Sequence, residues 1–100
     1  GHVTEQALAG LRADKVIIGI RAIDLERGLS SEYLPESHTD QAILRMGTSI
    51  ILVADHSKCG RVSTTHVAPL SIVNVFVTDD GTAPEYIDAF QANGSQVLVV

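Results

Sequence analysis

Asp55-His56-Ser57-Lys58 places an acid, a hydroxyl and an ammonium within four residues, directly after the apolar run Ile50 to Ala54 and two positions before Gly60. Those groups can hold a phosphate: Lys58 supplies a point charge, Ser57 a hydroxyl, and Gly60 a backbone that an anion can approach closely. Asp55 can hold Lys58 or accept a sugar hydroxyl. The same four residues also make an ordinary turn, in which Asp and Ser satisfy local backbone donors and the glycine closes the bend. Spacing alone leaves both readings open.

A second cluster is acidic. Asp24, Glu26, Glu32 and Glu36 crowd one stretch, and two carboxylates are the minimum for moving a proton along a sugar if one is desolvated enough to act as a base. Solvated loop acids fit the same pattern and are commoner. His56 stands three residues from Cys59, but neighbours in one turn seldom face each other and no third group supports them, so Cys59 reads as a passive thiol. His2, His38, His56 and His66 have no close metal-ligand spacing, and neither GxGxxG nor GxxxxGK[ST] occurs; no cofactor or metal is expected. Asp79-Asp80-Gly81 forms either a strand tip facing a ligand or a plain turn into the next helix. Arg21 is an anion partner if it faces a cleft and a solvated residue otherwise.

The elements that must position these groups follow from periodicity. Thr4 can cap a short helix with Ala7, Leu8 and Leu11 on one face, ending near Ala13. Lys15 to Ile20 is an apolar, β-branched run without alternation, as in a strand covered on both faces. Arg21 to Pro35 shows no period and reads as a long loop. Ser37 with Asp40 resembles a capping box for a helix running to Met46, which Gly47 stops. Ser49 to Ala54 is the next strand, Val67 to Leu70 a short extended piece, and Val73 to Thr78 a third core strand. Pro84 opens a helix with Ile87 and Phe90 buried and Gly94 at its end, and Gln96 to Val100 is a closing strand. This order fits an α/β fold: a parallel, Rossmann-like sheet with flanking helices and right-handed crossovers. Ligands in such sheets sit beyond the carboxyl ends of the strands, where Arg21 to Asp24, Asp55 to Lys58 and Thr78 to Asp80 all fall.

One hundred residues, 45% of them apolar, make one compact domain at most. The net charge of −5 and seven scattered Lys and Arg residues give no basic stripe of the kind that binds nucleic acid. A single cysteine suits a reducing cytoplasm, and no apolar run approaches the roughly 20 residues of a membrane helix. A soluble, cytoplasmic chain without membrane association is the expectation. Gly1 and His2 enter no functional argument.

Taken in order, "ADKVIIGIRAIDLERGLSS" (13–31), Glu36, "ILVADHSKCGRVS" (51–63), "VFVTDDG" (75–81) and "NGSQVLVV" (93–100) resemble the effector-sensing domain of DeoR-family bacterial transcription regulators. The resemblance runs from about Thr4 to Val100. Its specific parts are Gly19…Asp24…Gly28-Leu29-Ser30 and Asp55-x-Ser57-Lys58. It implies a fold similar to ribose-5-phosphate isomerase and the CoA transferases, and a sugar-phosphate sensor joined to an N-terminal winged helix-turn-helix that represses sugar-use operons. By position it implies that Asp24, Gly28 and Ser30 form one wall of the effector cleft. Asp55, Ser57 and Lys58 would form another, with Lys58 as the cation for the phosphate or sugar and Glu36 nearby. The opening stretch then reads as a ligand loop.

The chain departs from the family pattern in two ways. Glu36 is followed four residues later by Asp40, where the family often has Lys, reversing a charge near the expected cleft. A Thr/Ser-Asn phosphate loop and the DNA-binding helices lie upstream in the family, so residues 1–100 are expected to be a C-terminal, truncated part of a sensor. Operator DNA would be met only through the missing N-terminal domain. A sheet lacking its first strands exposes an edge and an apolar face, which predicts a homo-oligomer. The competing reading is an enzyme fragment, isomerase-like or CoA-transferase-like, with Asp24 or Glu36 as base and Lys58 as clamp. Gly28-Leu29-Ser30-Ser31 lacks the lysine of the isomerases' glycine-rich loop, which favours the sensor. A purely structural dimerisation domain is a third possibility.

Overall fold

A computed structural model describes residues 2–32 and 34–100, with side chains over 3–32 and 38–100. The elements run α1 (His2–Ala9), β1 (Ala13–Ile18), β2 (Ala22–Asp24), β3 (Gly28–Ser31), α2 (Leu34–Met46), β4 (Gly47–Val53), a 3-10 turn (His56–Lys58), β5 (Thr65–Ala68), a second 3-10 turn (Leu70–Ile72), β6 (Val75–Thr78), α3 (Pro84–Ala92) and β7 (Gln96–Val99). β1, β4, β6 and β7 form a parallel sheet in that order, and β2, β3 and β5 an antiparallel one. The expected α/β architecture with a parallel sheet and flanking helices is present.

Alternation along the parallel strands sets the core. Val16 and Ile18 on β1, Ile50 and Leu52 on β4 and Phe76 on β6 are buried, and Ile18, Leu52, Phe76 and Val97 pair in one row across the four strands. The antiparallel sheet and α3 supply the opposing residues Ile23, Leu29, Val67, Ala68, Tyr86 and Phe90. Phe76 stacks on Phe90 at a centroid distance of 4.1 Å, an aromatic pair that ties β6 to α3. Pro84 occupies the first turn of α3, where its missing N–H is not needed. Below that helix Asn74 binds both neighbouring strands: its side chain accepts from Ile50 N at 2.7 Å and its carbonyl from Gln96 N at 2.9 Å. The amino end of β6 is thereby tied to both of its neighbours.

Two expectations need correction. Residues 21–35 are not a loop: Ala22–Asp24 and Gly28–Ser31 pair as an antiparallel hairpin, and α2 begins at Leu34. The three residues Leu25 to Arg27 turn because the Asp24 Oδ2 accepts from Glu26 N and Arg27 N at 3.0 and 2.8 Å, while Gly28 takes a left-handed φ of 76°. That is a three-residue hairpin connection with its glycine in the required place. The second correction concerns the parallel strands, which are covered on one face only. Ile17 is 72%, Val53 46% and Leu98 42% exposed; a continuous apolar run makes both faces apolar, but the described residues pack against one. Smaller differences are boundaries: α1 ends at Ala9 rather than near Ala13, and β1 ends at Ile18, two residues early. No helix among the described residues is long and apolar enough to cross a membrane.

Candidate functional site

The ends of β4 and β6 are neighbours, with Val53 beside Val77 and Ala54 N still donating to Val77 O at 3.1 Å. Asp55 then stops the strand. Its extended backbone caps the turn His56–Lys58, and its carboxylate accepts from Ser57 N at 2.7 Å and from the Ser57 hydroxyl. Those two bonds hold the Asp55 carboxyl below its usual range, with the charges of Lys58 and His56 adding to the effect. Asp55 thus spends its carboxylate on Ser57, leaving Lys58 as a half-buried cation at the end of the turn. Chemically this is a fixed hydroxyl, a flexible ammonium and an ionised acid at the mouth of a parallel sheet.

The β6 side supplies Asp79, a strand-tip candidate in the sequence whose pairing with His56 the sequence did not reveal. Asp79 accepts from His56 N at 3.0 Å through one oxygen, and its other oxygen meets His56 Nδ1 at 2.7 Å. Thr82 reaches the same carboxylate at 3.4 Å and bonds the buried Thr78 hydroxyl at 2.6 Å. A side chain at position 81 would bring a Cβ within 2.7 Å of the His56 ring nitrogen, so Gly81 makes room for the imidazole. The hydrogen bond and charge of Asp79 raise the His56 pKa above its ordinary value, and His56 lowers that of Asp79. The signal that could have found this pair was register: both residues follow the ends of adjacent strands.

The hairpin meets the turn from its other side. Ile23 bridges Cys59, and Ile23 O accepts from Gly60 N and Arg61 N at 2.9 and 3.3 Å. Asp24 therefore lies beside this segment. It also adds, after burial and the fields of Cys59 and Glu85, to raising the Tyr86 phenol. The Cys59 thiol is pushed up to about 11 by burial, then by Asp55 and Asp79, so it stays protonated at neutral pH.

The other expected wall residues have structural partners. Gly28 sits where a Cβ would be 2.6 Å from Ala68 O, and the buried Ser30 hydroxyl accepts from Ser63 N at 2.8 Å. Asp40, at the position of the reversed charge, accepts from Ser31 Oγ at 3.3 Å. The Glu36 side chain lies outside the described residues.

Asp55, Ser57 and Lys58 thus share one turn, and Asp24 is next door. Ser30 lines a separate hollow with Val62, Ser63, Thr64 and His66. The hollow at the strand ends, between Val53, Asp55, Val77, Asp79 and Val100, is about 150 Å³, less than the roughly 300 Å³ at which small-molecule pockets begin. A larger crevice of about 400 Å³ between α1 and α2 contains Arg12 and Arg45. There Arg12 donates to the Leu11 carbonyl at 2.8 Å and reaches the Ala9 carbonyl at the end of α1 at 3.5 Å.

Residues 1–80 match the family model described as the DeoR C terminal sensor domain. The chain is also 35% identical over 83 residues to the transcriptional repressor AccR of Agrobacterium fabrum, covering 82% of this chain and 32% of that protein. It is 32% identical over 91 residues to the glycerol-3-phosphate regulon repressor of Escherichia coli K12, covering 91% and 35%. With the HTH-type transcriptional repressor GlcR of Bacillus subtilis it shares 27% identity over 99 residues, covering 99% and 38%. The chain spans about a third of the length of these relatives.

Proposed function

We propose, from the premise that this chain belongs to the DeoR C-terminal sensor domain family, that it is the effector-binding segment of a longer cytoplasmic transcriptional repressor and senses a phosphorylated sugar intermediate. The observation that carries the effector is the Asp55–Ser57–Lys58 turn at the carboxyl ends of parallel strands. One relative is named for glycerol 3-phosphate, a phosphorylated polyol. DNA contact belongs to an N-terminal winged helix, in keeping with the charge of −5 here. Sensing is binding without turnover: the effector shifts two arrangements of the regulator by its different affinity for each, and a few kcal/mol suffice.

The test is operator release. Full-length regulator bound to its operator is titrated with glycerol 3-phosphate, hexose 6-phosphates and pentose 5-phosphates; release by at least one, but not by its unphosphorylated counterpart, is expected. Turnover of a phosphosugar without any effect on DNA binding would overturn the sensor.

The expected self-association has a surface to use. β1 is an edge strand, and the open face of the sheet carries exposed Ile17 on β1, Val53 on β4 and Leu98 on β7 as an apolar patch. A second copy of the chain covers that patch. Light scattering on the 100-residue chain should give a dimer mass, and Ile17→Lys should shift it toward monomer; a clean monomer at high concentration would remove this interface.

A further inference from the structure

We propose that Asp79 is a positioning residue for the Lys58 turn, and that the protonation of His56 sets how firmly the turn is held. The proposal rests on the reading of that turn as the effector's anion site. His56 opens a turn only three residues long, so a shift of His56 moves Lys58 two residues on. The trailing end is anchored by Gly60 N and Arg61 N on Ile23 O. The leading end is anchored by Asp79, which takes both the backbone and the ring N–H of His56. Asp79 is in turn tied through Thr82 to the buried Thr78 on β6. A carboxylate from a different strand, with both oxygens committed and a glycine clearing the ring, makes a clamp between two loops.

Charge sets the strength of the clamp. His56 faces Asp79 and Asp80 from the turn after β6 and Asp55 from its own turn, with Lys58 the other cation there. All three carboxylates favour the imidazolium, and Asp79 dominates. With the His56 pKa raised above its ordinary 6.5, the charge-assisted contribution is complete below about that value and is lost as pH rises through the raised pKa. The Asp79 pKa is lowered from 3.8, so its contribution is lost only as pH falls through that lowered value. The clamp is therefore complete between the lowered Asp79 pKa and the ordinary His56 value, and weakens as pH rises through the raised His56 pKa.

The experiment measures binding to the full-length regulator by calorimetry from pH 5.5 to 8.5. The probes are inorganic phosphate, glycerol 3-phosphate, glucose 6-phosphate and ribose 5-phosphate. Asp79→Asn should weaken the tightest probe about tenfold near pH 6. The ratio to wild type should shrink as pH rises, and taking the ratio cancels the titration of the phosphate itself. His56→Asn keeps a donor near the place of Nδ1 but cannot titrate, so it should retain most of the affinity, and its ratio to Asp79→Asn should no longer change with pH. Equal binding by wild type and Asp79→Asn at every pH overturns the positioning role alone. A loss that is constant with pH and matched by a lower melting temperature also overturns it, in favour of plain structural support. Wild type that binds no probe overturns the anion-site reading and this role with it.

Discussion

Lys58→Ala in the full-length regulator is expected to weaken the effector response by about ten- to a hundredfold while leaving operator affinity without effector unchanged. A hydrogen bond to a charged group contributes about 1.5–3 kcal/mol, and each 1.4 kcal/mol is tenfold in affinity. The surroundings of Lys58 set the direction. Asp55 is engaged with Ser57, and Asp79 with His56, so neither carboxylate uses up the lysine ammonium. Removing that ammonium leaves an incoming anion facing Asp55, Asp79 and Asp80, which adds repulsion to the lost bond. Because the site is open to solvent, the deficit should narrow at high salt. Induction unchanged by every phosphosugar tried would take Lys58 out of the site.

Where the chain's local chemistry decided the structure, it could be read directly. Val16 to Ile18, Ile50 to Val53 and Val75 to Val77 are β-branched or apolar runs with turn residues on either side, and they became three of the four parallel strands. Asp55 and Ser57 are two residues apart, and Asp55 caps the turn by accepting from Ser57. The hairpin at 22–31 was illegible for the opposite reason. Its strands are three and four residues long, too short to show a period, and Asp24, Gly28, Ser30 and Ser31 all look like loop residues. Ser30 is buried because Ser63, 33 residues later, donates to it, and Ser31 because Asp40 receives it. The His56–Asp79 pair spans 23 residues and became visible only once β4 and β6 were known to be neighbours in register. The apolar runs themselves carried one misleading message. They specify two greasy faces, and burial of the second depends on what the chain meets outside its own fold.

Gly28→Ala is expected to cost about 2–5 kcal/mol of stability, which makes position 28 the place where a ligand wall and a folding requirement can be told apart. A non-glycine residue at φ 76° pays about 1–2 kcal/mol for the left-handed backbone. The new Cβ would stand 2.6 Å from Ala68 O and 3.0 Å from Pro69 Cα. Both are backbone atoms, which cannot swing aside as a side chain would, so relief has to come from parting β3 and β5, at a further cost of about 1–3 kcal/mol as in other overpacked sites. Against a net stability of about 5–15 kcal/mol for a domain, and about 4–8 °C of melting temperature per kcal/mol at this size, the melt followed by circular dichroism should fall by about 10 °C or more. Since Ile23 on β2 anchors Gly60 and Arg61, a loosened hairpin also loosens the Lys58 turn, so weaker effector binding should accompany the lower melt. An unchanged melting temperature with weakened binding would instead place Gly28 against the ligand, as the family resemblance implies.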